Sequence, residues 1–493
     1  MLNKFIKIKN ILVDHLPFII AFLIVQIVFI AIITNGTWEI FGCNYNNYFD
    51  RFYDYQALSI LQGRLDVPPE AIGSEAFIID GKYYGYYGIT PALIRIPLLK
   101  LFPYLKFKFT RFFLILWSCI TCFFCYRIML LIREKFNLNN LNNSMGNLFI
   151  FLFIITFGLG TVNIFLASQA FFYHEAVSCG IAFASVSIFC LLKASKKPDT
   201  ILFIIALICS TLSILAKGTT GIGSLFAIQG LSIFLIIKRK SDSLRNLFVN
   251  KYVSIFFLSF FPIIFYMTIN YLKFNEFSLP MEKHFQFISN QLRLESFNGK
   301  TFSLVNLPFH IYNYLIIPNI QILNEFPFVS AGYVELNPFS FKNMANIMPF
   351  INLPFGTPFF YILSIIGVIS SIYQLKKNYN DEITIKFLIV ASSSALGICI
   401  LFMFIAIAQY YFHEFALILV LFSSYGLYYL ISNMKHKFFT KFLVILSILS
   451  IYSCYVNISI SMTNQKLGDS FFKPMMIQVD GNLIKISDIR LKK

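Results

Sequence analysis

Residues 16–34, LPFIIAFLIVQIVFIAIIT, run without a single charged side chain. A hydrocarbon core ~30 Å thick needs about 20 apolar residues in helical form, so this stretch reads as a membrane span. No small-residue cleavage site follows it, which marks a retained helix rather than a signal peptide. Comparable runs recur. Counting the first as 14–34, candidate spans cover 110–132, 146–166, 174–193, 200–216, 219–237, 252–272, 355–374, 385–408, 411–432 and 439–462, eleven in all. Composition agrees: of 493 residues, 57% are hydrophobic and 13% charged, where soluble domains carry roughly 45–50% and 25%. A soluble enzyme is excluded, and 60 Phe with 27 Tyr exclude a disordered chain. The expected fold is an all-α polytopic membrane protein.

A net charge of +17 does not indicate nucleic acid, because the cations sit in short loops between apolar runs, as membrane topology requires. One side of the bilayer receives nineteen Lys and Arg in its short loops, from Lys4 and Arg133 to Lys386 and Lys441; the other receives only Lys217. That split places the N-terminus in the cytoplasm and, with eleven spans, the C-terminus outside. Eight of the nine cysteines fall in or at apolar runs, leaving Cys43 in a loop. The spacing Cys119, Cys122, Cys125 reads as small packing residues on a helix rather than metal ligands. The chain then divides into a transmembrane module over 1–272, carrying an outside loop at 35–109, a second outside loop at 273–354, further helices at 355–462 and a polar tail at 463–493. Few ionisable residues lie within the spans, and those gather at the outer ends.

The first outside loop carries the densest polar chemistry. A helix is expected from about Tyr48 to Gln62, capped by Asn46 or Asn47 and stopped by Gly63. Asp50 and Asp54, four apart, would share one face of it. They are either a solvated helix face or, set among Tyr48, Phe49, Phe52, Tyr53 and Tyr55, a pair in which at least one pKa is raised, which suits a general base or a metal ligand. After the stiff Val67-Pro68-Pro69 comes Phe77-Ile78-Ile79, then Asp80-Gly81 and Lys82-Tyr83-Tyr84, a hairpin on an Asp-Gly turn. Gly85-Tyr86-Tyr87-Gly88 follows. Thr90-Pro91 opens a helix to Leu101 that carries Arg95 and Lys100 among Leu and Ile, expected to lie in the interface plane. The tyrosines are either an interfacial aromatic belt or a stacking platform for a sugar ring.

The order of these pieces (one span, an acid in an outside helix, a Pro-rich turn, Asp-Gly, Tyr-Tyr and Pro-Ala-Leu) resembles the integral-membrane GT-C glycosyltransferases. It is most similar to the branch holding protein O-mannosyltransferases and the aminoarabinose transferases of lipid A. Matched residue by residue, Asp50 takes the acidic position, Tyr53 the tyrosine that follows it, and Pro91-Ala92-Leu93 the Pro-Pro-Leu turn. Arg51 stands where that branch has a second acid, and one proline of the turn is missing. The resemblance covers residues 14–132 and, by topology, weakly extends to 272. It implies a GT-C-like fold and a polyprenyl-phosphate sugar as donor, with a glycan, lipid or protein as acceptor at the outer face of a bacterial cell membrane. Asp50, or Asp54, would be the base, and inversion would follow.

Other polar residues fall on the same side. Tyr173-His174-Glu175 and Phe412-His413-Glu414 begin two spans. Neither forms a His-Glu-x-x-His metal motif, and each acid either caps its helix or binds substrate. Tyr53, Tyr83, Tyr84, Arg95, His174, Glu175, Lys217, His413 and Glu414 are the expected substrate-binding set. Lys217, against the positive-inside bias, either snorkels or pairs with a lipid phosphate; Met281-Glu282-Lys283-His284 is a weaker candidate for that role. No cofactor is required, and a divalent metal is compatible with the reading. A hairpin is expected at Val479-Asp480-Gly481-Asn482. Rival readings are a lipid-glycan flippase or secondary transporter, which would need ionisable residues at mid-membrane and broken helices in paired positions, and an O-antigen-ligase-like transferase working through the 273–354 loop.

Overall fold

The computed structural model describes residues 2–43, 49–136, 138, 143–238, 251–286, 289, 294–295, 299–332, 346–468, 476–479 and 482–485. Helices dominate. In chain order the α-helices of six residues or more are α1 (Leu2–Ile33), α2 (Phe52–Leu61), α3 (Thr90–Leu101), α4 (Thr110–Arg133), α5 (Asn143–Leu159), α6 (Phe172–Lys196), α7 (Thr200–Ile214), α8 (Gly218–Lys238), α9 (Lys251–Leu258) and α10 (Phe261–Phe274). They continue with α11 (Leu307–Leu315), α12 (Pro358–Lys377), α13 (Glu382–Ser394), α14 (Leu396–Leu401), α15 (Ala416–Asn433) and α16 (Phe439–Gly468). Among the described residues ten helical segments are long and apolar enough to cross a membrane.

The eleventh expected span, α7, is a helix of 15 residues, about 22 Å at 1.5 Å per residue. It nevertheless runs from one end of the bundle to the other. Asp199 caps its start by accepting from the Ile201 N–H at 2.9 Å. Past its far end, the Leu215 and Ala216 carbonyls accept from the N–H groups of Thr90 and Gly88 in the first long loop. Apolar length failed as a criterion here because α7 packs between α6 and α8, where protein stands in for part of the lipid.

One end of the bundle is basic and stitched to acids: Lys135 meets Asp381 at 2.7 Å, Lys196 meets Glu134 at 2.6 Å, and Lys238 meets Glu382. The other end carries the two long loops. In the first, β1 (Phe77–Ile79) pairs antiparallel with β2 (Lys82–Tyr84), and Asp80 and Gly81 both take positive φ, the geometry an Asp-Gly turn permits. Gly63 ends α2 at φ +73. In the second loop β3 (Ile320–Ile322) pairs with β4 (Val329–Ala331), while β5 (Asn346–Ile347) runs parallel to β6 (Ala406–Ile407). The segment before α15 is thereby wrapped: Ser303 N–H donates to Met403 O, Ile405 N–H to Thr301 O, and His310 Nε2 lies 2.7 Å from Phe404 O. The tail hairpin forms as expected, β7 (Met476–Val479) against β8 (Asn482–Lys485); its turn residues lie outside the described ones. Cys122 and Cys125 are buried core residues of α4.

Candidate functional site

The α2 helix starts later than its sequence suggested. It begins at Phe52 with no side-chain cap from Arg51, and the expected caps Asn46 and Asn47 lie outside the described residues. Asp50 therefore precedes the helix in a turn, and Asp50 and Asp54 do not share a helical face. Asp54 instead points inward to Arg95, whose Nε lies 3.8 Å from Asp54 Oδ1.

Arg95 is where the structure departs most from expectation. Expected on an interfacial helix among Leu and Ile, it is instead 0% exposed inside the protein. Its guanidinium donates to both oxygens of Glu175, at 2.5 and 2.6 Å, and to Thr110 Oγ1 at 3.2 Å and Pro91 O at 3.1 Å. The Phe113 and Tyr53 rings flank it, 4.4 and 5.3 Å from centroid to guanidinium carbon. Three segments far apart in sequence thus converge on one buried cation with two acids, a fork geometry that suits arginine. Burial pushes the Asp54 carboxyl up to about 7; Arg95 opposes this, and Glu175 and Asp50 reinforce it. Burial acts to lower the Arg95 pKa, but Glu175 and Asp54 outweigh it and hold it above the ordinary value. The Tyr53 hydroxyl is raised well above its usual range by burial and then by Glu175.

This triad reaches Asp50 through the backbone. The Thr110 hydroxyl, which accepts from Arg95, donates to Asp50 O at 2.7 Å. Next door, the Phe172 N–H at the head of α6 donates to Phe49 O at 2.8 Å. Both carbonyls of the 49–50 turn are tethered to span ends. The Asp50 carboxylate lies beside Arg51, at 3.9 Å.

A second cluster is aromatic. Tyr86 and Tyr87 bond through their hydroxyls, Tyr87 meets Tyr173 edge-on at 5.7 Å, Tyr173 stacks on Tyr410 at 5.8 Å, and Tyr410 meets Tyr411 at 4.4 Å. Lys217 Nζ sits 4.5 Å from the Tyr411 centroid and 2.6 Å from Glu414 Oε1. The protein itself therefore supplies the partner for this cation. His174 lies tilted against Tyr410, ring centroids 5.6 Å apart, its Nδ1 2.8 Å from Gln169 O. His413 borders a cavity of about 10 Å³ with Phe157, Thr161 and Leu353, the size of one water. Burial raises the hydroxyls of Tyr86 and Tyr87, and Glu75 adds to the first.

Tyr83 and Tyr84 stand apart from both clusters. The Tyr83 carbonyl accepts from Val67 N–H, and Tyr84 packs with Phe77, Phe274 and Phe285. The rings beside Lys217 are Tyr410 and Tyr411, and Tyr87 joins them through Tyr173. The loop of Tyr86 and Tyr87 is bolted down: a Cβ on Gly88 would meet Leu215 O at 1.8 Å, and Lys273 of α10, buried, donates to Gly85 O and Tyr87 O at 3.0 Å each. The sequence reading also passed over Glu75, Thr110, Tyr410, Tyr411 and Lys273. A usable signal existed for Lys273, a cation closing an apolar run; none existed for the contacts of Thr110. Lys283 is exposed and pairs with Glu276 at 2.6 Å. Among the described residues no group of three or more His, Cys, Asp or Glu side chains is placed to hold a metal.

No family model matches the chain, and no curated protein does. Solved structures do. The oligosaccharyltransferase of Archaeoglobus fulgidus in its apo form aligns with a TM-score of 0.50 at 11% identity, over 91% of this chain and 56% of that one. The archaeal oligosaccharyltransferase AglB of the same organism, in complex with an inhibitory peptide and a dolichol-phosphate, aligns over the same shares with a TM-score of 0.51 at 11% identity. The chain thus spans little more than half the length of these proteins. At such identity the likeness is one of fold, and it agrees with the architecture described above: an all-α, multi-pass membrane protein of GT-C type.

Proposed function

We propose that the chain is a membrane glycosyltransferase that moves a sugar from a polyprenyl-phosphate carrier to an acceptor hydroxyl, with Asp50 as general base. The observation that carries this reading is the double tether of the 49–50 turn to Thr110 and Phe172. It holds a carboxylate-bearing residue at the loop end of a GT-C-type bundle, with preorganisation of the kind general-base catalysis needs. Asp50 and Asp54 are both buried; Asp54, paired with Arg95, serves the tether, and Asp50, outside that pair, serves the chemistry. AglB binds a dolichol-phosphate and a peptide, which supports a lipid-phosphate donor and a separate acceptor here; the acceptor is a glycan, a lipid or a protein. The charge asymmetry of the short loops puts the loop end outside the cytoplasm.

In the reaction, Asp50 takes the proton of the acceptor hydroxyl as that oxygen bonds to the anomeric carbon. The bond from that carbon to the phosphate oxygen breaks, and the lipid phosphate leaves with the electron pair. Lys217, a point charge beside Tyr410 and Tyr411, draws that phosphate by exchanging it against Glu414. A single displacement inverts the configuration. The test is transfer by purified protein from a defined polyprenyl-phosphate sugar to short glycan and peptide acceptors. Donor binding without turnover on any acceptor, with Asp50→Asn equal to the parent, would overturn the assignment.

A further inference from the structure

We infer that the β3–β4 hairpin of the second long loop is a lipid-inserting anchor, its tip lodged in the bilayer leaflet on the loop side of the protein. The hairpin does not project into solvent but lies along α16. Thr463 Oγ1 donates to Val329 O at 3.2 Å, and Tyr455 Oη donates to Pro327 O at 3.2 Å. Val329 and Pro327 are two residues apart, so the hairpin descends the helix by at most about 7 Å between these contacts, and the Tyr455 side chain spans the rest of the ~12 Å between the two helix positions. Its tip is closed by Leu323 N–H donating to Phe328 O and Phe328 N–H to Glu325 O, which satisfies part of the backbone that a lipid environment would leave costly.

The depth follows from two neighbours. Asn457 Nδ2 donates to Gly356 O at 2.7 Å, two residues before α12 begins its apolar run at Pro358. Tyr455, which holds the tip, lies two residues further in. From the other side, Lys441 marks the basic end of α16, and Tyr455 lies fourteen residues beyond it, about 21 Å, less than the ~30 Å of hydrocarbon a span crosses. The tip therefore sits at about the outer boundary of the apolar layer, where acyl chains meet head groups.

Its surface matches that position. Ile322 is 85% exposed, and Phe326 and Phe328 are about half exposed. They continue an exposed stripe on α16 that climbs from Val444 through Ile448 and Ile451 to Tyr455, at the three- and four-residue spacing of one helix face. That stripe faces lipid in any membrane-spanning reading of α16, and the hairpin prolongs it. Glu325, exposed beside the phenylalanines, limits the depth, because a carboxylate is costly at mid-bilayer. Acyl chains near the head groups are the occupant that fits both facts.

The chain has two tryptophans, of which Trp117 is buried and Trp38 exposed, so a reporter can be placed cleanly. Phe326→Trp in a Trp38→Phe background, reconstituted in phosphatidylcholine vesicles, should lose about half its added fluorescence to bromines near the head-group end of the acyl chains. That is the response of an indole ~5–10 Å below the head groups. Bromines at the chain terminus should quench it less, and Ile322→Trp, nearer the loop side, should be quenched less than Phe326→Trp. Should Phe326→Trp not be recovered folded, Phe328→Trp reports the same depth. Quenching no greater than in the Trp38→Phe parent, with free access of aqueous iodide, would overturn the proposal. The result does not depend on transferase activity, so it stands or falls apart from that reading.

Discussion

Arg95 and Lys217 each hold a glutamate, at 2.5 and 2.6 Å, yet the two pairs are built for different uses. Arg95 and Glu175 are fully buried, bidentate, walled by rings and joined by Asp54 and Thr110. Nothing can displace Glu175 without opening three elements. Lys217 keeps 14% of its side chain exposed, meets Glu414 through one oxygen and rests on tyrosine faces. A compact ammonium on a flexible stem can trade one anion for another; a clamped guanidinium cannot do so cheaply. The two ion pairs at one bundle end thus differ in burial, in the number of contacts and in the cation that makes them.

The largest effect should come from the residue the sealed pair serves. Asp50→Asn should lower transfer by about 10²–10⁴-fold, the usual contribution of a general base, with donor binding retained in steady-state assays. If Asp50→Asn is active and Asp54→Asn is dead, the base lies inside the triad and the division of labour fails.

Next comes the triad itself. Arg95→Met leaves two buried carboxylates without their cation, which should cost about 3–5 kcal/mol of stability, read as a lowered unfolding midpoint in detergent. A loss no larger than that for Lys217→Met would erase the contrast between the pairs. A smaller, purely kinetic effect is expected at Lys217. Lys217→Ala should raise the donor KM more than it lowers kcat, and Lys217→Arg should keep part of the activity. Unchanged donor KM in the alanine variant would make the pair with Glu414 structural as well.

A pH dependence reports on Asp54. Its pKa rises on folding from 3.8 to about 7, mainly through burial. A raised folded pKa means the folded state binds the proton more tightly. The stability it contributes is present below the unfolded value and is lost as pH climbs through the window up to the folded one. Asparagine mimics the protonated acid, so Asp54→Asn should gain on the parent through that window and keep its lead above it. A variant less stable than the parent at every pH would show Asp54 ionised throughout, and the triad would be a full ion-pair network.

What could be read along the chain was whatever neighbouring residues decide. Membrane spans follow from apolar runs, because lipid leaves the backbone no partner but itself. The hairpin at Asp80-Gly81 follows from the positive φ that those two residues tolerate, and the stop of α2 from Gly63. Asp54, Arg95 and Glu175 could each be singled out as polar residues in apolar settings. Their meeting could not, since Arg95 and Glu175 are 80 positions apart and an arginine on an amphipathic helix looks the same facing water or facing a carboxylate. The same limit hid the row of rings from Tyr87 through Tyr173 to Tyr410 and Tyr411: alternation along a strand tells which residues share a face but not which face the bundle covers. Only the packing of α3 against α6 and of the 85–88 loop against Leu215 and Lys273 brought these groups together, because burial decides which charges must be paired.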